Sequence, residues 1–269
     1  MSAKRQVVVS GGFDDIRSCD LRFLEEAAKL GELTVLLWTD TVVQKRTGKA
    51  PVFPSAERLY FLNAVRTVSQ VIETDACDTL PAIIRADVWA DVEASANLKR
   101  EAFASNSNIT YRVFTESELK EFSESKPAIP AEGRKKVAVT GCYDWLHSGH
   151  VRFFEEASAY GDLYVFLGND ACITELKGLG HPLLPQDERR YVVGSIKFVT
   201  QAKISSGSGW LDADQEIRAL KPDVLVVNED GDMGGKREYY RELGIEYLVL
   251  RRTPAPGLPK RSSTDLRGF

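Results

Sequence analysis

The sequence predicts an α/β protein built as two tandem, doubly wound parallel-sheet domains related by duplication. Three observations lead there: a long internal repeat, a short proline-bearing stretch between its copies, and strand-like runs alternating with helical patterns. The 269 residues suffice for two domains of modest size, each able to bury a core.

The repeat comes first. Val7 to Asp40 lies over Val137 to Asp170 at a constant offset of 130, with 15 identities in 34 positions. Unrelated chains of ordinary composition would share roughly two. One residue of slip later, Pro51, Pro54, Glu57, Arg58 and Tyr60 fall on Pro182, Pro185, Glu188, Arg189 and Tyr191. Between the copies, Ser125 to Arg134 carries two prolines and a glycine without apolar periodicity, as a linker does. The domains are therefore expected at 1–124 and 135–269, with 125–134 joining them.

Within the second copy the elements follow in order. Val137 to Thr140 is a β-branched run suited to a buried strand. Ser148 to Tyr160 reads as a helix, because Val151, Phe154 and Ala157 keep helical spacing and Gly161 offers a stop. Leu163 to Leu167 is the next strand. Glu188 to Phe198 reads as helix, Val224 to Val227 as strand, Lys236 to Leu243 as helix and Tyr247 to Leu250 as strand. Strand–helix alternation implies a parallel sheet covered on both faces, with ligands beyond the carboxyl ends of its strands.

Composition removes several classes of function. Apolar residues at 43% and charged residues at 28% exclude a disordered chain, and a net charge of −4 gives no field for nucleic acid or anionic lipid. No apolar run approaches a membrane span. The start, Met1 to Arg5, leads directly into strand-like residues without a leader pattern. Cys19, Cys77, Cys142 and Cys172 form no CxxC pair, which fits a reducing, cytoplasmic setting rather than a zinc ribbon or disulfide scaffold.

Two of the three histidines, His147 and His150, flank Ser148-Gly149 at the start of the first helix of the second copy. Residues three apart at a helix start share a side, the backbone N–H groups there lack partners, and the helix dipole favours anions. Gly149 leaves room for close approach. These residue types suit a phosphate; a metal reading lacks a third ligand, and two solvent-facing cap histidines is the bland alternative.

Gly141-Cys142-Tyr143-Asp144-Trp145-Leu146-His147-Ser148-Gly149-His150 closely resembles the GxFDxxHxGH signature of the cytidylyltransferase-like nucleotidyltransferase superfamily. Leu176-Lys177-Gly178 resembles its lysine segment, Pro185 to Tyr191 its "ER" helix start, and Arg261 to Leu266 the end of its RTxGISTT motif. The tandem layout is similar to that of the ethanolamine-phosphate cytidylyltransferases. The resemblance implies Rossmann-like nucleotidyltransferase domains, in which a phosphorylated acceptor attacks the α-phosphorus of a nucleoside triphosphate and pyrophosphate leaves. His147, His150 and Lys177 would be catalytic. Gly141, Tyr143, Asp144, Gly149, Arg189, Arg252, Ser262, Ser263 and Thr264 would bind nucleotide, Arg189 as a forked donor or as a structural ion-pair partner. Asp144 would orient a Mg²⁺ shell or brace its loop. Mg²⁺ is expected through phosphate oxygens and water, with no residue of the chain assigned as its ligand.

Departures from the pattern sharpen the expectation. Arg17-Ser18-Cys19-Asp20 replaces the histidine segment in the first copy, and Thr115 to Leu119 puts acids where the second has Ser262-Ser263-Thr264, so the first domain is expected to be inactive. It would pair with the second as a pseudo-dimer, and two chains could form a homodimer. In the second copy the family arginine position holds Gly257, and Arg252 matches it only across an insertion, Pro254 to Lys260. Phe198-Val199-Thr200 stands where many cytidylyltransferases have tryptophan and aspartate. The leading expectation is CMP transfer from CTP to a small phosphorylated acceptor. ATP on a sugar phosphate, or a non-catalytic nucleotide-binding protein, are the alternatives.

Overall fold

The computed structural model describes residues 4–123 and 132–266, with the backbone alone for Thr264 and Asp265. It divides into two compact units, Met1–Phe122 and Ser123–Phe269. Most of the stretch read as a linker, 125–131, lies outside the described residues.

Unit 1 runs β1 (Gln6–Gly11), α1 (Ser18–Ala28), β2 (Glu32–Trp38), α2 (Asp40–Thr47), α3 (Ser55–Ala64), β3 (Gln70–Thr74), β4 (Val88–Val92), α4 (Leu98–Asn106) and β5 (Thr110–Phe114). Unit 2 runs β6 (Lys136–Gly141), α5 (Ser148–Ser158), β7 (Asp162–Leu167), α6 (Asp170–Lys177), α7 (Gln186–Gly194), β8 (Val199–Ile204), α8 (Asp214–Leu220), β9 (Val224–Asn228), α9 (Lys236–Glu242), β10 (Glu246–Leu250) and α10 (Ser263–Leu266). Each unit holds one five-stranded parallel sheet. The orders are β3-β2-β1-β4-β5 and β8-β7-β6-β9-β10, the same winding twice.

The winding reverses beside the first strand of each unit, which places a crevice at the carboxyl ends of β6 and β9. Val137, Ala138 and Val139 of β6 are fully buried, as a central strand covered on both faces requires. On one face α5 seats Val151, Phe154 and Ala157 in the core. On the other, Phe166, Leu225 and Val227 pack with Ile217 of α8 and Tyr240 of α9. Among the described residues no helix is long and apolar enough to cross a membrane.

Two readings shift. The helix expected over Glu188–Phe198 occupies Gln186–Gly194 and gives way to β8 at Val199. Gly194 and Ser195 end the helical ladder, and Val199 N–H closes a turn onto the Ile196 carbonyl at 3.0 Å. β8 itself, with α6 and α8, is not read from periodicity. An edge strand such as Val199–Ile204 buries few of its side chains and leaves a weak alternation.

Candidate functional site

A cleft of about 710 Å³ opens at the carboxyl edge of the unit 2 sheet. The signature contributes Gly141, Tyr143, Asp144, Gly149 and His150 to its walls; Lys177, His181, Arg252, Ser262 and Ser263 arrive from later segments. The side chain of Thr264 is outside the described residues.

The two imidazoles stack at the amino end of α5, with ring centroids 4.0 Å apart and planes 26° apart. Gly149 N–H donates to His147 Nδ1 at 3.1 Å, so His147 caps the helix as an acceptor and carries its proton on Nε2. That Nε2 is buried without a partner among the described residues, as is His150 Nδ1. Gly149 leaves room for the imidazole: a Cβ would lie 3.0 Å from His147 Cε1, a tight contact. Burial, with Arg252 and Arg261 nearby, holds the His147 pKa down at about 4. Burial, then His147, Arg252 and Lys177, holds His150 well below the usual range, and the backbone of Trp145 offsets only part of this. Both rings are therefore neutral at neutral pH. Each carries a buried polar atom without a partner among the described residues.

Tyr143 supports this pair. Its backbone is left-handed, with φ of 49°, and its ring packs edge-on against His150 at 5.4 Å and against Phe154 at 5.1 Å. Gly141 makes room for it, since a Cβ there would come within 2.7 Å of the tyrosine ring. Tyr143 lies within the core at 6% exposure, so its reach to a ligand is chiefly through His150.

Arg189 corrects the phosphate-ligand expectation. Its side chain is wholly buried and its donors are already engaged: Nε on the Leu184 carbonyl (2.9 Å), Nη1 on Cys142 (2.8 Å), Nη2 on Gly168 (2.9 Å) and Asp170 Oδ1 (2.7 Å). Asp144 is likewise a brace, accepting Leu183 N–H at 2.7 Å and Leu184 N–H at 3.0 Å. Unit 1 repeats this network without the histidines. Asp14 accepts Val52 N–H and Phe53 N–H, and Arg58 donates to the Phe53, Gly12 and Trp38 carbonyls and to Asp40. A network kept where the imidazoles are absent serves the loop, not the phosphates.

Lys177, the last residue of α6, reaches the cleft wall with no ion pair among the described residues. Arg252 also lines the cleft, tied to Asp230 at 2.7 Å and to the Arg261 carbonyl at 3.1 Å, so the insertion before Arg261 keeps it beside the imidazoles. Ser263 opens α10, with Oγ on the Trp145 carbonyl at 3.3 Å. The structure thus gathers His150, Lys177, Arg252, Ser262 and Ser263 on one cleft, with His147 directly behind.

Comparison with known proteins decides the family. The cytidylyltransferase-like family model matches residues 8–132 and 138–269, which is nearly the whole chain. The chain belongs to the cytidylyltransferase-like family. The FAD synthase of Methanocella paludicola is 32% identical over 135 residues, covering 49% of this chain and 93% of that protein. The FAD synthase of Ferroglobus placidus is 36% identical over 122 residues, 44% of this chain and 75% of that protein. The bifunctional protein HldE of Campylobacter concisus is 37% identical over 125 residues, 46% of this chain. The match spans about a quarter of that protein's length, 26%.

This cytidylyltransferase-like cleft also has walls that sequence reasoning did not single out: Gly168, Trp210, Asp212, Asn228, Asp230, Met233 and Lys236. Their shared signal is position between the carboxyl ends of β7, β8 and β9 and the helices that follow, from Gly168 after β7 to Lys236 at the start of α9. With β8 unread, Trp210 and Asp212 had no strand end to mark them.

Proposed function

We propose that unit 2 transfers a nucleoside monophosphate from a nucleoside triphosphate to a small phosphorylated acceptor. An acceptor phosphate oxygen bonds to the α-phosphorus, the α–β bridging bond breaks, and pyrophosphate leaves. The observation that carries this is the pair of stacked, neutral imidazoles at the start of α5, each with a buried unpartnered nitrogen, His150 on the cleft wall and His147 directly behind it. A transfer of this kind needs positioning and stabilised charge rather than covalent chemistry. His147 Nε2–H and His150 donate to the α-phosphate and bridging oxygens as charge builds there. Lys177 and Arg252 add cationic donors for the leaving pyrophosphate, and Ser262, Ser263 and Thr264 cap its oxygens.

Mg²⁺ belongs to this proposal as an ion carried by the nucleotide. Among the described residues no group of His, Cys, Asp and Glu could hold a metal, and Asp144 already accepts two backbone amides. No step is assigned to the ion.

Similarity to FAD synthases, whose product contains an adenylyl group, favours ATP as donor. CTP is the second reading, favoured by the motif resemblance of the whole second copy. We read unit 1 as a catalytically silent copy of the same ancestral domain, supported by the shared strand order and by Arg17 and Asp20 at the places of His147 and His150. Pyrophosphate release with ATP, CTP, GTP and UTP against a panel of phosphorylated alcohols and sugars tests the proposal. Release dependent on one acceptor, and lost in His150→Ala, is expected; no release with any nucleotide overturns it.

A further inference from the structure

The two units can be superposed residue by residue through their sheet registers. β1 pairs with β2 from Val7↔Leu33 to Gly11↔Leu37, and β6 pairs with β7 from Val137↔Leu163 to Gly141↔Leu167, an offset of 130 throughout. β1 meets β4 at Val7↔Val88, and β6 meets β9 at Val137↔Val224, which sets an offset of 136. That second offset also carries the end of α4 onto the end of α9, and β5 onto β10. Ser10, Trp38, Asp91 and Arg100 in unit 1 therefore stand where unit 2 has Thr140, Gly168, Val227 and Lys236. All four of the latter line the cleft.

In unit 1 these four side chains hold one another. The Trp38 indole N–H donates to Ser10 Oγ at 2.8 Å, reaching across the carboxyl end of β1. The Arg100 guanidinium lies 5.5 Å from the Trp38 ring centroid and 5.7 Å from that of Trp89. Arg100 is itself buried and paired with buried Asp91 at 2.7 Å. Arg46 of α2 adds a second guanidinium 5.4 Å from the Trp38 ring. The space at this strand edge is filled from within.

We infer that Gly168 is the residue that keeps the unit 2 cleft open, and that Trp38, at the matching position, fills the corresponding space in unit 1. Backbone conformation does not explain the glycine. Gly168 has no positive φ, and its carbonyl is held by Arg189 as the Trp38 carbonyl is held by Arg58. Space does explain it. A Cβ on Gly168 would lie 3.2 Å from Ile173 Cγ1 and 3.3 Å from Asp212 Oδ2, both on the cleft wall. The unit 1 tryptophan shows where a large side chain goes: a Cβ on Gly12 would be 3.8 Å from Trp38 Cε3, and Gly12 is the counterpart of Cys142. A tryptophan at 168 would thus cover Cys142, which is half-buried on the cleft wall. What enters the cleft rests on the nucleotide reading above; the openness does not.

The test uses the full chain and the series Gly168→Ala, Gly168→Leu and Gly168→Trp. Two readouts apply: the rate at which iodoacetate labels Cys142, read by peptide mapping, and the equilibrium affinity for ATP and for CTP. Labelling should slow with side-chain size, by about tenfold for tryptophan, and nucleotide affinity should fall about a hundredfold. If Gly168→Trp does not fold, Gly168→Leu carries the same comparison. Folded leucine and tryptophan variants that label Cys142 at the wild-type rate, or that bind nucleotide as wild type does, overturn the inference. A wild-type chain that binds none of ATP, CTP, GTP and UTP overturns the proposed function, and Cys142 labelling then still decides the role of Gly168.

Discussion

At the scale of single residues, the unpartnered Nε2 of His147 is the sharpest signal in the molecule. A buried donor left without a partner costs on the order of 1–3 kcal/mol, a cost that the proposed phosphate ligand would remove. His150→Ala should lower turnover about a hundredfold or more while leaving the melting temperature nearly unchanged, measured by pyrophosphate release and thermal unfolding. The depressed pKa of His147 has a further consequence. Its folded value of about 4 lies below its ordinary 6.5, so the unfolded chain binds the proton more readily. Stability from this group is complete above pH 6.5 and declines as pH falls toward 4, by about 3 kcal/mol in all. Denaturant unfolding of wild type and His147→Asn should show this as a difference that shrinks on acidification. A difference constant from pH 7.5 to 4.5 would contradict the burial argument.

At the scale of elements, the loop between β6 and α5 works because the α7 helix braces it. Arg189 spans three backbone carbonyls and Asp170, so its removal leaves buried acceptors unpaired. Arg189→Met should destabilise unit 2 by about 3 kcal/mol or more, read from denaturant midpoints, with activity lost through unfolding. Gly149→Ala tests the opposite case. Its Cβ would press on the His147 ring, which must shift by a few tenths of an ångström to admit it. A drop of about tenfold or more in kcat with a nearly unchanged melting temperature is expected, because the helix itself accepts alanine readily.

At the scale of the whole molecule, two units share one winding but carry different side chains at the start of their first helix. Unit 1 has Arg17 bonded to Asp15 and Asp20 at the start of α1, where unit 2 has two imidazoles. Asp20 stands where unit 2 has His150, and burial raises its pKa, so the position offers a triphosphate an acidic group instead of an imidazole donor. Equilibrium binding should therefore give one nucleotide per chain, and Asp20→Ala should leave turnover within about twofold of wild type. Two equivalent nucleotides per chain, or equal losses from Asp20→Ala and His150→Ala, would contradict the division of roles.

The α/β class, the strands around Val137–Thr140 and Val224–Val227, and the histidine segment were legible in the chain itself. Periodicity and residue type are local properties, and a buried β-branched run or a Gly between two histidines carries its meaning wherever it folds. The role of Arg189 was not legible, because whether a guanidinium meets carbonyls or phosphates depends on which loops fold around it. Nor was Gly168 against Trp38: one substitution within an aligned pair reads as drift until the strand ends converge. Edge strand β8, and with it Trp210 and Asp212 on the cleft, waited on the sheet to place them. Local pattern determined the central elements and the histidine segment; three-dimensional packing alone decided which charges are neutralised, which donors stay unpaired and which of the two crevices is open.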